Sequence, residues 1–247
     1  MKHISFLKNG LSGFQLKILA CTFMLIDHIG YILLPRLEIL RVIGRLAFPL
    51  FAYLIAEGCR YTRNKLRRFL SVFILGLLCE CSYFLFVGKL TGNILLTFSA
   101  SVLLIYQLSY TKKILLKNVK LGLVHSMLFL MSLFVVKVCC EFLYFDYGFF
   151  GAITPVLVVL FDDMGEWSDK LYKTIDRKLV SLSMFSLGLL LVALFEVSMD
   201  CQIYSLLSVV LLMFYNGKKG KYSFKYGFYL FYPLHFIVLQ AIVYLVK

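Results

Sequence analysis

The sequence predicts an all-α, polytopic integral membrane bundle of about nine transmembrane helices, within limits of eight to ten. Three observations lead there. Of 247 residues, 61% are hydrophobic and only 16% are charged, against about 45–50% and about 25% in soluble domains. The mean hydropathy is +0.87. Apolar runs also recur along the whole chain at about the 20-residue length that crosses hydrocarbon as a helix. Disorder, a coiled coil, collagen and a small disulfide scaffold are excluded, because each needs a polar or strictly periodic chain. The whole of 1–247 reads as one transmembrane domain, with connections too short for a soluble catalytic domain.

The spans follow in order. The N-terminal segment is polar to about Leu16, and the first span, 14–34, is too long for a cleavable signal core. The second, 39–58, runs into Arg60, Arg63, Lys65, Arg67 and Arg68, which separate it from the third, 69–87. The fourth, 93–110, is followed by Lys112, Lys113, Lys117 and Lys120, and the fifth covers 121–144. The sixth, 147–163, precedes a mixed segment carrying Lys170, Lys173, Arg177 and Lys178 beside five acids, before the seventh, 179–198. The eighth, 202–215, leads to Lys218, Lys219, Lys221 and Lys225, and the ninth is 227–246. The sixth and eighth are short, so tilted, re-entrant or partly covered arrangements stay open for them.

The net charge of +13 would suggest nucleic acid in a soluble protein. Here cytoplasmic loops rich in Lys and Arg explain it, and no nucleic-acid partner is expected. With nine spans, the basic segments and Lys2, Lys8 and Lys17 fall on one side and hold 20 of the 26 basic residues. The N-terminus is then cytoplasmic and the C-terminus external, in a cytoplasmic membrane. Nearly all of the seven cysteines lie in apolar stretches and none forms a CxxC pair, as expected of small packing residues rather than a disulfide, metal or nucleophile site. Phe145, Tyr147, Phe149 and Phe150 read as an interfacial aromatic belt, with lipid headgroups as partners of the basic loops.

Ionisable groups at membrane depth are functional candidates by default. Asp27 and His28 lie in the outer half of the first span and Arg45 in the outer part of the second. Glu80, Lys137, Glu141 and Asp146 also fall toward the outside, with His235 near mid-depth. A polar cavity opening outward would keep such groups hydrated or paired. Lys17, Cys21, Met24 and His28 recur at i, i+4, i+7 and i+11, so Lys17 stands about 16 Å below His28 on one stripe. Asp27 points about 100° from His28 and cannot orient that imidazole from the next position. Structural readings stand beside these: His28 as an interhelical hydrogen-bonding residue, Lys137–Glu141 as an i,i+4 ion pair, Arg45 as an interface anchor or carboxylate clamp, and Glu57–Arg60 as a helix-end charge pair.

Six ordered blocks carry a family likeness. LKILACTFMLIDHIG (16–30) resembles the first helix of the TraX family, known for acetylation of conjugative pilin. IGRLAFPLFAYLIAEGCRYTRN (43–64) is similar to its second motif, and NILLTF (93–98), DYGFFG (146–151), YNGKKG (215–220) and FYLFYPLH (228–235) follow in the family's order. Lys17 and His28 also resemble the Arg-x10-His pattern of membrane acyltransferase-3 proteins, with Lys keeping the charge but losing the bidentate fork.

The resemblance implies a membrane acetyltransferase that takes an acetyl group from cytosolic acetyl-CoA to an exported protein or glycan amine or hydroxyl. His28 is then the base. Arg45, Asn93 and Tyr232 are available as oxyanion stabilisers, and Asp27 or Asp146 would orient His28 or hold an ammonium acceptor. Coenzyme A phosphates would suit Lys17, Arg60, Arg63, Arg67, Arg68, Lys218 and Lys219, and no metal is implied. Glu57 and Tyr147 enter with the motifs that carry them, and His235 is either a second base or a structural residue. A transporter or channel using the same polar cluster, and a non-enzymatic assembly factor, remain alternative readings of these residues.

Overall fold

The computed structural model describes residues 10–196, 200–221 and 225–246, so Lys2 and Lys8 lie outside the described residues. Among the described residues the chain is helical, with one isolated β-bridge between Leu11 and Tyr215. Helix α1 (Gly13–Ile32) starts at a capping box, in which Ser12 Oγ accepts from Gln15 N–H and Gln15 Oε1 accepts from Ser12 N–H. Helices α2 (Glu38–Gly44) and α3 (Ala47–Tyr61) follow, then α4 (Lys65–Val87), which ends at Gly88 in the left-handed region. Helices α5 (Ile94–Lys117) and α6 (Val119–Phe142) meet at Asn118, which caps the start of α6 through its side chain. The chain continues through α7 (Gly148–Val158), α8 (Glu166–Thr174) and α9 (Arg177–Phe195). A 3₁₀ segment (Asp200–Leu207), α10 (Ser208–Met213) and α11 (Lys225–Val246) complete it.

Among the described residues, seven helical stretches are long and apolar enough to cross a bilayer: Gly13–Ile32, Glu38–Tyr61, Lys65–Leu85, Ile94–Lys117, Val119–Phe142, Arg177–Phe195 and Gly227–Leu245. The protein is therefore an integral membrane protein, and residues such as Met127, Leu130, Met131, Phe134 and Phe142 on α6 are exposed apolar surface. The expected count of about nine is not confirmed among the described residues, and the two shorter apolar segments have physical causes. Helix α7 has 11 residues, about 16 Å against hydrocarbon of about 30 Å. It stops where the ammonium of Lys112 takes the carbonyls of Val159, Leu160 and Asp162, at 2.9, 2.6 and 2.9 Å, away from helix bonding. The expected span 202–215 is instead the 3₁₀ segment followed by a six-residue helix, about 25 Å in all.

The chain divides into two compact units. Unit one holds α1, α2, the first half of α3, the 3₁₀ segment, α10 and α11. In it, α1 packs on α2 and α11, and α2 packs on the 3₁₀ segment, around Leu16, Ala20, Leu50 and Leu212. The segment after α10 straps the base of α1: Lys218 and Lys219 carbonyls accept from Gly13 and Phe14 N–H at 2.8 and 3.0 Å. Those bonds satisfy donors that the first turn of a helix leaves open. Unit two runs from Ile55 to Ser198. There α5 packs on α4, α6 and α7, and α7 on α9, around Leu104, Ile105, Val156, Phe185 and Leu189.

Candidate functional site

The candidate residues fall into one group in each unit. In unit one, α1 and α11 bring His28 and His235 together, with ring centroids 4.8 Å apart and His235 Nε2 3.1 Å from His28 Nδ1. His28 Nδ1 lies 2.9 Å from the carbonyl of Met24, and His235 Nδ1 lies 2.8 Å from the carbonyl of Phe231. A carbonyl oxygen only accepts, so both Nδ1 atoms carry the proton when the rings are neutral. The bare Nε2 of His235 then shares the His28 Nδ1 proton, and His28 Nε2 is left as a basic lone pair. His235 is buried and stacks on Phe231 at 5.0 Å, while Phe236 meets the His28 ring edge-on at 4.8 Å. Tyr232 stands beside the pair, its ring 6.1 Å from that of His235.

Asp27, one residue before His28, is turned to a different partner set. Its carboxylate receives Arg41 at 2.6 Å and Arg45 at 2.8 and 3.0 Å. Arg45 is buried and also donates to Gln202 Oε1 at 3.5 Å. The expected role of Asp27 as the group that orients His28 gives way to that of a counter-ion between two guanidinium groups. Gly44 makes this approach possible, because a Cβ there would overlap the Asp27 carboxyl group. Arg41 and Gln202 were not anticipated. Arg41 could have been found, since it stands one helical turn before Arg45 and shares its face.

At the base of α1, Lys17 lies over the Phe228 ring at 5.6 Å, and Lys218 and Lys219 are exposed on the strap. All three belong to unit one, at the end of α1 away from His28.

Unit two commits several expected site residues to architecture. The Arg60 side chain is only 9% exposed, where exposure to a cytosolic phosphate was expected. Its guanidinium donates to Glu57, to Asp162 at 2.7 Å, and to the Val158 carbonyl and Ser181 hydroxyl at 2.8 Å each. Glu57 is accordingly an ion-pair partner within α3. Asp162 also accepts from Tyr172 and Arg177, at 2.9 and 3.0 Å. Burial alone would raise the Asp162 carboxyl, but the Arg177 hydrogen bond and the Arg60 charge override it and hold its pKa below the usual value. Burial first, and the Asp162 carboxylate second, push the Tyr172 phenol up to about 12. Arg63 and Arg67 are exposed, while half-buried Arg68 donates to the Ile55 carbonyl at 3.1 Å.

Asn93, expected as an oxyanion donor, is engaged on both sides of its amide. Its Oδ1 caps α5 by accepting from Leu95 and Leu96 N–H, and its Nδ2 donates to Gly76 O and Glu80. Buried Glu80 also accepts from Thr91 and Gly92 N–H, so both residues shape the turn before α5. Asp146 accepts from Thr97 Oγ1 at 2.8 Å through its backbone carbonyl, and its residue is exposed. Tyr147 adopts φ 60° at the start of α7, where Glu196 accepts from Phe150 N–H. The same carboxylate leaves no room for a Cβ at Gly148. Lys137 and Glu141 face each other at 3.8 Å on α6, both exposed. A cavity of about 850 Å³ is lined by residues of unit two that include Lys89, Leu90, Glu141 and Tyr144, and not by the histidines.

The family model described as TraX protein matches residues 12–243. A relative from Dichelobacter nodosus, named probable fimbrial assembly protein FimC, serogroup H1, is 26% identical over 253 residues, covering 92% of this chain and 94% of its own. A Rickettsia prowazekii (strain Madrid E) protein, named uncharacterized protein RP591, is 40% identical over 83 residues, covering 33% of this chain and 32% of its own. No solved structure matches significantly.

Proposed function

The chain belongs to the TraX family, and we propose that it acts in pilus assembly or pilin modification as a membrane-embedded acetyltransferase. It would move an acetyl group from cytosolic acetyl-CoA to an amine or hydroxyl of an exported protein or glycan. The observation that carries this reading is the His28–His235 pair. Its carbonyl partners leave a lone pair on His28 Nε2, the atom a general base needs.

The chemistry balances on that atom. The acceptor nitrogen or oxygen attacks the thioester carbonyl while its proton passes to His28 Nε2, and the carbonyl electron pair moves onto oxygen. The tetrahedral intermediate collapses, the C–S bond breaks, and coenzyme A leaves as a thiol with the proton returned from His28. His28 Nδ1–H, shared between Met24 O and His235 Nε2, holds the ring in the productive tautomer and spreads the charge of the transient imidazolium.

Donor binding follows the charge. Lys17, Lys218 and Lys219 belong to the same unit as His28 and mark the opposite end of α1, about 16 Å away along the helix. Phosphates held there would let the pantetheine arm extend along α1 toward the imidazole. Exposed Arg63 and Arg67 add charge attractive to a polyanion on their own unit. The orientation that goes with this has a cytoplasmic N-terminus and an external C-terminus in the cytoplasmic membrane.

Purified protein in proteoliposomes, given acetyl-labelled coenzyme A and amine and hydroxyl acceptors on the opposite side, tests the reading. Label is expected to leave coenzyme A and appear on the acceptor. Folded protein that neither binds coenzyme A nor moves label from several acyl donors overturns it. The D. nodosus relative's name favours a second reading, a non-enzymatic assembly factor. That reading predicts normal pilus assembly with His28→Ala at ordinary protein levels.

A further inference from the structure

Two cavities of unit two share a wall. One, of about 370 Å³, lies along α4 beside Leu77, Cys81, Leu85 and Leu96. The other, of about 850 Å³, lies where the chain leaves α4 and α6, beside Lys89, Glu141, Phe142 and Tyr144. Phe84, Leu90 and Leu143 line both, so the narrow cavity runs into the wide one. The two membrane spans end here, at Leu85 and Phe142. The wide cavity therefore stands at the level of the bilayer interface, and the narrow one reaches back along α4 to the depth of hydrocarbon.

The walls are fixed by bonds of their own. Glu80 accepts from Thr91 and Gly92 N–H at 2.8 and 3.1 Å, which ties the loop after α4 back to that helix. The Gly92 carbonyl accepts from Asp146 N–H at 3.1 Å, which ties the same loop to the turn after α6. A Cβ at Gly92, where φ is 55°, would overlap the Leu143 carbonyl and the Phe145 backbone. Tyr144 is held at φ 52°, a conformation that bulky residues rarely adopt. A cavity whose walls are set before anything enters loses little to ordering when it is filled.

The lining says what kind of molecule fits. The narrow cavity offers apolar surface, because its one carboxylate, Glu80, is already taken by Thr91, Gly92 and Asn93. The wide cavity carries one charge of each sign. Lys89 is exposed and forms no ion pair among the described residues. Glu141 faces Lys137 only across 3.8 Å, with both side chains exposed, a pairing that contributes little and leaves the carboxylate able to take a second cation. A soluble zwitterion would leave the apolar cavity unused, and a bare hydrocarbon would leave both charges unanswered. We propose that the two cavities are one binding site for an aminophospholipid, with its phosphate at Lys89, its ammonium at Glu141 and one acyl chain in the narrow cavity. The site does not depend on the acetyltransferase reading, since none of these residues takes part in the transfer described above.

The test takes the purified full chain, stripped of lipid in detergent, and follows binding by native mass spectrometry. The probes are phosphatidylethanolamine, phosphatidylglycerol and the chain-free headgroup glycerophosphoethanolamine. Wild type is expected to bind a first phosphatidylethanolamine about tenfold more tightly than phosphatidylglycerol, the weight of one charge-assisted hydrogen bond. Glu141→Gln should erase that preference by weakening phosphatidylethanolamine alone. Lys89→Gln should weaken both lipids, again by about tenfold. Cys81→Trp, which fills the narrow cavity, should weaken both and keep the preference. Lys89 and Glu141 are exposed, so their variants should unfold with wild type. Equal binding of the two lipids by wild type, or a preference that survives Glu141→Gln, overturns the site. So does unchanged lipid binding by Lys89→Gln, or a chain-free headgroup that binds as tightly as the whole lipid.

Discussion

His235 Nε2 lies 3.1 Å from His28 Nδ1, joining the first and last membrane helices through two imidazoles. Each ring is held by the carbonyl one turn back on its own helix, so the pair has a defined direction: His235 supports, and His28 presents the open nitrogen. That direction separates the two residues experimentally.

Replacing His235 with Ala removes one of two acceptors for the His28 Nδ1 proton and leaves the Met24 carbonyl in place. Transfer should fall by about tenfold, against about 10²–10⁴-fold for His28→Ala, the range that general-base catalysis supplies. Initial rates of label transfer in proteoliposomes read both. Equal losses would mean that His235 itself takes the acceptor proton.

Asp27 bridges Arg41 and Arg45 in a half-buried setting, with 13% of its side chain exposed. Asp27→Ala leaves two guanidinium groups facing each other and should cost on the order of 3–5 kcal/mol of stability. Gly44→Ala, which pushes a methyl group into the same carboxyl, should destabilise in the same direction. Unfolding of the purified variants checks both, and an Asp27→Ala protein as stable as wild type would remove the ion pair from the account.

Asp162 gives the stability a pH dependence of known sign. Its folded pKa is depressed, so its contribution is complete above the ordinary carboxylate range and is lost as pH falls through the lowered value. Unfolding temperature should therefore drop on acidification below about pH 4, where the unfolded carboxyl takes up its proton. Asp162→Asn should flatten that part of the profile while lowering stability near neutrality.

Lys218→Ala combined with Lys219→Ala removes two exposed charges from the strap without touching the backbone bonds that cap α1. The expected outcome is a raised KM for acetyl-CoA with kcat little changed, and a weaker dependence of KM on salt. A fall in kcat at constant KM would move these lysines out of donor binding.

The seven long helices were legible because hydropathy and length report directly what crosses a bilayer. The two short ones were not, because apolarity does not reveal where Lys112 ends α7 or that 200–207 winds as a 3₁₀ helix. The capping role of Asn93 has a local signal, since an Asn immediately before an apolar helical run is an N-cap pattern. The Arg60–Asp162 bond joins residues 102 apart in sequence, a pairing no single-sequence periodicity carries.

His28 Nε2 is the proposed base for acetyl transfer across the membrane. The most direct measurement compares label transfer from acetyl-CoA by wild type and His28→Ala at equal amounts of folded protein in proteoliposomes. Transfer by wild type is expected, with a loss of at least about a hundredfold in the variant and unfolding unchanged within a few degrees. Transfer by His28→Ala at the wild-type rate would contradict it.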